Sequence, residues 1–188
     1  MPCGGGGASY QQKEFRIRND DGNESGASWM YSLNTDGDVK ANKIFRVRFT
    51  IKNTTGSMGG GGGSEADGFK LQASINSGAY SDISSSSACQ YANSSYITNH
   101  ENTTQQIGSG SFTAGDMVET LATDIITFYA YTETEFEWVL SLDSAQLADG
   151  DTVKLRIVED GGATCSTYTQ YPTVTCRYVS DLMLGFHF

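Results

Sequence analysis

Hydrophobic and polar positions alternate along much of this chain. Over residues 44–52, Phe45, Val47, Phe49 and Ile51 interleave with Ile44, Arg46, Arg48, Thr50 and Lys52. This two-residue period belongs to a strand with one face in a core and the other in water. Phe69, Leu71, Ala73 and Ile75 repeat it. So do Phe136, Trp138, Leu140 and Leu142, with Glu135, Glu137 and Ser141 between them. Val153, Leu155 and Ile157 alternate with Thr152, Lys154 and Arg156, and Phe15 and Ile17 mark a shorter first strand over 13–18. Weaker patterns cover 28–33, 80–83, 125–131 and 167–175. No segment sustains a 3.6-residue apolar period, and 144–148 has room for one helical turn.

Turn chemistry punctuates these runs. Asp20-Asp21-Gly22-Asn23, Asp36-Gly37-Asp38, Asp149-Gly150-Asp151 and Asp160-Gly161-Gly162 favour tight reversals. Asn76-Ser77-Gly78-Ala79, between two strand patterns, reads as a hairpin loop. The predicted fold is all-β, an antiparallel immunoglobulin-like or jelly-roll-type β-sandwich of about 7–9 strands.

The 188 residues suit one domain with appendages. Residues 1–12 read as a flexible Gly-rich N-terminal arm, 13–176 as the sandwich, and 177–188 as an apolar C-terminal tail. Two long loops interrupt the sandwich. Loop 56–68 holds five consecutive glycines at 59–63. Loop 84–110 is rich in Ser, Asn, Thr and Gln, and its Tyr91, Tyr96 and His100 nominate it as a contact surface. The tail carries Leu182, Met183, Leu184, Phe186 and Phe188. Left bare, such a tail is an aggregation hazard, so it is expected to pack on its own domain or on a neighbour. Burying each of these side chains would contribute up to about 1.5–3 kcal/mol.

Charge narrows the range of partners. A net charge of −10 opposes binding to nucleic acid, which needs clustered Lys and Arg. No apolar stretch is long enough for a membrane helix, so membrane insertion is not expected. The start, Met1-Pro2-Cys3 and a glycine run, lacks a signal-peptide pattern, so if the chain leaves a cell another route, such as lysis inside a virus particle, is expected.

Catalytic and metal chemistry find little support. His100 and His187 are the only histidines, and serine is too common for a Ser/His pairing to mean much. Glu133, Glu135 and Glu137 share one strand face. They could serve a glycosidase, but the plainer expectation is a solvated outer face with counter-charges from Arg46, Arg48 or Lys154 on adjacent strands. No cofactor is expected. Calcium is the one metal the oxygen-rich turns would suit, with Asp20, Asp21 and Glu24 as ligands. The glycine run lacks the Lys-Ser/Thr of a phosphate loop. Asn-x-Ser/Thr sequences at Asn23, Asn53, Asn93 and Asn102 are what so polar a chain produces by chance. Of Cys3, Cys89, Cys165 and Cys176, the last two could face each other across a terminal hairpin, as a disulfide or as reduced thiols.

Several segments resemble immunoglobulin-like β-sandwich modules of tailed-phage structural proteins and some bacterial surface proteins. They are Phe15-Arg16-Ile17-Arg18-Asn19-Asp20-Asp21-Gly22-Asn23-Glu24 with Trp29, Phe45-Arg46-Val47-Arg48-Phe49 with Lys52-Asn53-Thr54, and Phe69-Lys70-Leu71-Gln72 with Asn76-Ser77-Gly78-Ala79-Tyr80. Thr104-Gln105-Gln106, Glu135-Phe136-Glu137-Trp138, Asp149-Gly150-Asp151-Thr152 with Leu155-Arg156, and Tyr171-Pro172 complete the series. The glycine insertion and the tail depart from that family. The resemblance implies a bacteriophage virion protein on the particle surface, a capsid decoration or a head- or tail-associated protein. It would be a homo-oligomer docked on other virion proteins such as the major capsid protein, and would transfer no catalytic residues. The alternative is a carbohydrate-binding or host-adhesion module, with host-surface glycans on a platform of Tyr80, Tyr91, Tyr96 and Tyr129.

Overall fold

The two-residue period is realised, and the inward-facing sets of several strands meet in one core. The computed structural model describes residues 9–55 and 64–178. Among the described residues are thirteen strands: β1 (Tyr10–Asn19), β2 (Gly37–Lys40), β3 (Phe45–Asn53), β4 (Ser64–Asp67), β5 (Phe69–Ile75), β6 (Ser81–Asp82), β7 (Cys89–Tyr91), β8 (Met117–Val118), β9 (Ile126–Tyr129), β10 (Glu133–Leu142), β11 (Thr152–Glu159), β12 (Thr167–Tyr168) and β13 (Thr173–Arg177). The helical turn expected near 144–148 is present, with the Gln146 and Leu147 N–H groups both donating to the Asp143 carbonyl.

One sheet runs β12-β1-β3-β10-β7, with β8 also beside β10, and the other runs β2-β13-β11-β5-β6. β4 and β9 form a separate ribbon. The long strands pair antiparallel, β1 with β3, β3 with β10, β5 with β11 and β11 with β13. Parallel pairs join short strands to them, β12 to β1, β8 to β10 and β2 to β13. Both sheets are therefore mixed, which corrects the expectation of a purely antiparallel fold. Long connections carry two- to four-residue strands into places where only a parallel approach fits.

The two sheets share one interior, so the fold is β-sandwich-like. Phe15, Val47, Phe49, Phe136, Trp138 and Leu140 from the first sheet join Phe69, Leu71, Val153, Leu155 and Val174 from the second in one buried cluster. The Phe69 and Phe136 rings meet at 5.2 Å, and Tyr10 stands edge-on to Phe69 at 4.9 Å. The β5–β6 hairpin forms as expected. Asn76 and Ser77 both adopt positive φ (48° and 63°), and the Gly78 N–H reaches the Ile75 carbonyl at 2.8 Å, the geometry of a type I′ turn.

Several expectations need correction. β1 begins at Tyr10, so the last residues of the expected arm are strand, and β13 carries the sandwich through Arg177. β2 occupies part of the Asp36-Gly37-Asp38 turn signal. β4 lies in the expected 56–68 loop and β7 in the 84–110 loop. Residues 28–33 form no strand, although Trp29 bridges Arg18. Of the two alternatives left open for Cys165 and Cys176, the reduced one is observed, since both are buried free thiols, as is Cys89. The five-glycine run, Cys3 and the tail from 179 onward, with Leu182, Met183, Leu184, Phe186 and Phe188, lie outside the described residues.

The largest departure concerns the outer face of the first sheet. β3 and β10 are buried along almost their whole length on both faces. Residues 20–29 and 94–118 lie across that outer face as a third layer. Gly115 shows how close they come, since a Cβ there would sit 2.1 Å from the Glu135 carbonyl oxygen of β10. The same backbone is held by Thr103, whose hydroxyl donates to that carbonyl at 2.6 Å and accepts the Gly115 N–H at 2.9 Å.

Candidate functional site

The glutamates nominated for chemistry lie in that covered face. Glu133, Glu135 and Glu137 are 3%, 0% and 0% exposed, which overturns the expected solvated face. Strand register explains their partners, because Glu137 of β10 stands opposite Arg48 of β3, and Arg46 of β3 opposite Arg18 of β1. All three arginines are fully buried. The Glu137 carboxylate accepts from Arg48 Nε at 2.5 Å and from Arg18 Nη1 at 3.2 Å, with Arg46 Nη1 at 3.5 Å. Arg46 and Arg48 are thus the expected counter-charges. Arg18 and Lys13 join them, Lys13 reaching Glu133 at 2.9 Å. Lys154 does not, since it lies on the other sheet over Tyr171.

The covering loops complete the network. Glu135 accepts backbone N–H bonds from Gln106, Ile107 and Gly108 at 3.0, 2.8 and 2.7 Å, and Arg48 Nη1 at 3.0 Å. Ser109 and Gly110 donate their N–H groups to Glu133. Successive N–H groups curled round an anion form a nest, and here the anions are the chain's own side chains. From the other side, Glu24 receives Arg48 Nη2 at 2.6 Å and the Thr104 N–H at 2.8 Å. Arg18 packs on the Trp29 ring at 4.2 Å.

These contacts keep the layer charged. Burial alone would raise the Glu24 carboxyl, but the Thr104 N–H and the Arg48 guanidinium outweigh it and hold it below the usual glutamate range. Burial likewise opposes ionisation of Glu133, and Lys13 with the Gly110 and Ser109 N–H groups holds its carboxyl low. Burial would weaken Arg48 as a base, yet Glu137, Glu24 and Glu135 more than reverse that.

The expected calcium ligands are committed to protein donors. Asp20 pairs with Arg46 and accepts the Ser94 hydroxyl at 2.6 Å. Asp21 accepts the Ser28 N–H and hydroxyl, and Glu24 is held as described. Among the described residues no group of three or more His, Cys, Asp or Glu is placed to hold a metal ion.

The loop residues have separate roles. Tyr91 packs against the core, whereas Tyr96 is 50% exposed. His100 Nδ1 meets the buried Asp116 at 2.8 Å and lies 3.6 Å from Asp124. It therefore tethers the cover while its ring stays open to solvent. Burial pushes the Asp116 carboxyl up against the pull of His100.

Sequence reasoning missed an aromatic surface on the second sheet. Tyr168 and Tyr171 stack at 5.0 Å, with Tyr80 at 6.5 Å from Tyr171. Lys154 lies 4.4 Å over Tyr171 and Arg156 4.1 Å over Tyr80. Gln72 accepts from Arg156 at 2.8 Å, and Asp82 binds both Gln72 and Lys70. Of the four tyrosines expected to form a sugar platform only Tyr80 is here, because Tyr129 lies on the β4–β9 ribbon, 60% exposed. The missed signal was the alternation of Lys154 and Arg156 on β11, whose outward positions meet tyrosines from both flanking loops.

Two predictions follow from the ionic layer. Glu137→Leu takes the shared carboxylate from three buried guanidinium groups, leaving their charge only partly matched by Asp20, Glu24 and Glu135, and should cost about 3–5 kcal/mol in urea unfolding. Adding Arg48→Met should recover part of that loss, and strictly additive costs would show that the pair is not coupled. The second prediction concerns pH. Glu24 and Glu133 hold protons more weakly folded than unfolded, so their contribution is full above the ordinary glutamate value of about 4.3 and drains away below it. Asp116, with its raised carboxyl, works in the opposite direction. The urea midpoint should fall between about pH 5 and about pH 3, and Glu24→Gln should flatten that fall.

The chain matches no family model, no curated protein and no solved structure.

Proposed function

We propose that this chain is a structural protein of a bacteriophage particle. It acts by docking on neighbouring subunits at the virion surface, as a capsid decoration or a head- or tail-associated protein, and catalyses nothing. The sandwich would be of the immunoglobulin-like or jelly-roll type, and the partners would be further copies of the chain and other virion proteins such as the major capsid protein. The observation that carries the reading is the use made of Glu24, Glu133, Glu135 and Glu137. All four are sealed under a cover and bonded to arginine, lysine and backbone N–H groups. Carboxylates used this way serve rigidity, which a subunit held in a repeating lattice requires. The likeness of the Phe15-to-Glu24 and Glu135-to-Trp138 segments to phage modules supplies the setting, and the acidic charge suits a protein packed at high copy number without binding the genome.

A second reading, carbohydrate binding, is favoured by one observation. Tyr80, Tyr171 and Tyr168 form a row on the outer face of the second sheet beside Lys154, Arg156 and Gln72. Aromatic faces flanked by amide and cationic groups are the chemistry that holds sugar rings.

The two readings predict different results. Quantitative mass spectrometry of purified particles of the phage encoding this chain should find it at a fixed copy number relative to the capsid protein. A chain missing from intact particles would end the structural reading. On a glycan array, the second reading expects binding that Tyr171→Ala abolishes, and a silent array would end it.

A further inference from the structure

Lys154 and Arg156 hold successive outward positions on β11, about 7 Å apart along the strand. Each lies against a ring, Lys154 at 4.4 Å from the centre of Tyr171 and Arg156 at 4.1 Å from that of Tyr80. The ion pairs of this sheet are Lys70 with Asp82 and Arg177 with Asp38. Lys154 and Arg156 therefore have no carboxylate partner among the described residues. On a chain of net charge −10, two unmatched cations side by side are a local excess of the opposite sign.

The nearest acid of the row is already spent. Asp82 binds Lys70 Nζ at 2.8 Å and accepts Gln72 Nε2 at 2.7 Å. Gln72 in turn presents its Oε1 to Arg156, receiving Nε at 2.9 Å and Nη2 at 2.8 Å. Asp82 thus orients Arg156 through Gln72 without neutralising it. One edge of the guanidinium is fixed on Gln72, and the other edge, between Nη1 and Nη2, keeps the fork that fits a carboxylate.

The backbone beside the row offers a ligand much less. The Leu155 N–H donates to the Pro172 carbonyl at 2.9 Å, the Ile157 N–H to Gln12 Oε1 at 2.7 Å, and the Glu159 N–H to the Ala163 carbonyl at 2.9 Å. The Ile157 carbonyl accepts the Tyr168 hydroxyl at 2.7 Å. A peptide adding itself as a strand depends on such main-chain groups, and here they are taken. A ligand must instead meet side chains: the Lys154 ammonium, the open edge of Arg156, and the rings and hydroxyls of Tyr80 and Tyr171. A sugar carries its polar groups on its own ring and has an apolar face for a phenol flank.

Charge then selects among sugars. A neutral sugar leaves both cations unmatched, whereas one carboxylate can be shared between them. A long polyanion would be opposed by the rest of the acidic surface. Residues 179–188 hold one acidic side chain, Asp181, which is too little to satisfy the two cations from within the chain.

We propose that Lys154 and Arg156 make the tyrosine row a binding site for an acidic sugar, an oligosaccharide bearing one or two carboxylates. Its carboxylate would be held between the two cations, with its ring along Tyr80 and Tyr171. The proposal rests on the carbohydrate-binding reading above and names the ligand class.

The full-length chain on an array of uronate-terminated and sialylated oligosaccharides, printed beside neutral counterparts that lack the carboxylate, tests it. The acidic members should bind and the neutral ones should not. In calorimetry with the best acidic member, converting its carboxylate to the methyl ester should weaken binding about tenfold or more, the scale of one charge-assisted hydrogen bond. Lys154→Gln and Arg156→Gln should each do the same, and raising NaCl from about 0.05 M to about 0.5 M should also weaken it. Lys43→Gln removes the same charge from an exposed position on another part of the chain and should leave binding unchanged. Circular dichroism matching wild type establishes that each variant is folded. Equal binding of neutral and acidic sugars, or affinity that survives both cation substitutions, would overturn the acidic ligand and leave the carbohydrate reading standing. Polyglutamate bound as tightly as the acidic sugars would overturn it in favour of an acidic peptide. An array silent throughout would end the proposal and the carbohydrate reading together.

Discussion

Glu137 lies at the centre of the structure. It sits in the middle of β10, with no exposure to solvent, and three guanidinium groups converge on it from β1 and β3. A single carboxylate cannot balance three buried cations, so Glu135 of the same strand and Asp20 and Glu24 from the turn after β1 share the task. Each has a fixed direction of approach. Asp20 and Glu24 come from the turn after β1, and the donors for Glu135 come from residues 106–108 of the cover. Desolvating this many charges is costly, and it is offset only where every partner arrives with good geometry. The network therefore fixes the register of three strands and the path of two loops together.

The cover is in this sense part of the fold and not an insertion upon it. Its backbone N–H groups are the donors the buried carboxylates need, and its glycines are where the backbone comes close enough to donate. At Gly110 a Cβ would stand 2.9 Å from the Glu133 carboxyl carbon, and at Gly108 2.9 Å from a Glu133 oxygen. The short parallel strand β8 and the His100–Asp116 pair then fasten the far end of the cover to the sheet edge and to residue 124. A polar, Ser- and Asn-rich composition, usually a sign of a mobile loop, here meets the needs of a charged surface that must be sealed.

Period-two reading found the strands that build the core because those strands alternate. β3, β5, β10 and β11 lie where Phe45, Phe69, Phe136 and Val153 placed them. It failed where a strand is too short to show a period, as in β2, β4, β7 and β8, whose two to four residues owe their conformation to neighbours. The covered face was half legible. Matched positive and negative positions on β3 and β10 showed that the glutamates needed arginines. Alternation reports only that two faces of a strand differ, and it cannot tell water from a third layer of protein. A sign of the cover did lie in the chain, in Gly108, Gly110 and Gly115 spaced through a segment otherwise dense in side-chain donors. The tyrosine row was less legible still, because Tyr80 is far in sequence from Tyr168 and Tyr171 and meets them only through the β5–β11 pairing and the β12 docking.

An outer layer of charge in place of apolar side chains also bears on specificity. A sheet with three apolar-faced central strands and a greasy cover could slip by two residues and bury nearly the same area. Arg46 and Arg48 resist such a slip through their loop partners, because moving β3 by two positions along β1 draws their guanidinium groups away from Asp20 and Glu24 in the turn after β1. Leaving one charge unmatched costs more than an apolar mismatch of similar size, so the layer selects one register even if a wholly apolar version would be the more stable. The same reasoning explains why these acids are unsuited to catalysis. A catalytic carboxylate must exchange protons with something that enters and leaves, whereas Glu135 and Glu137 have every approach filled by arginines and by backbone belonging to the same molecule.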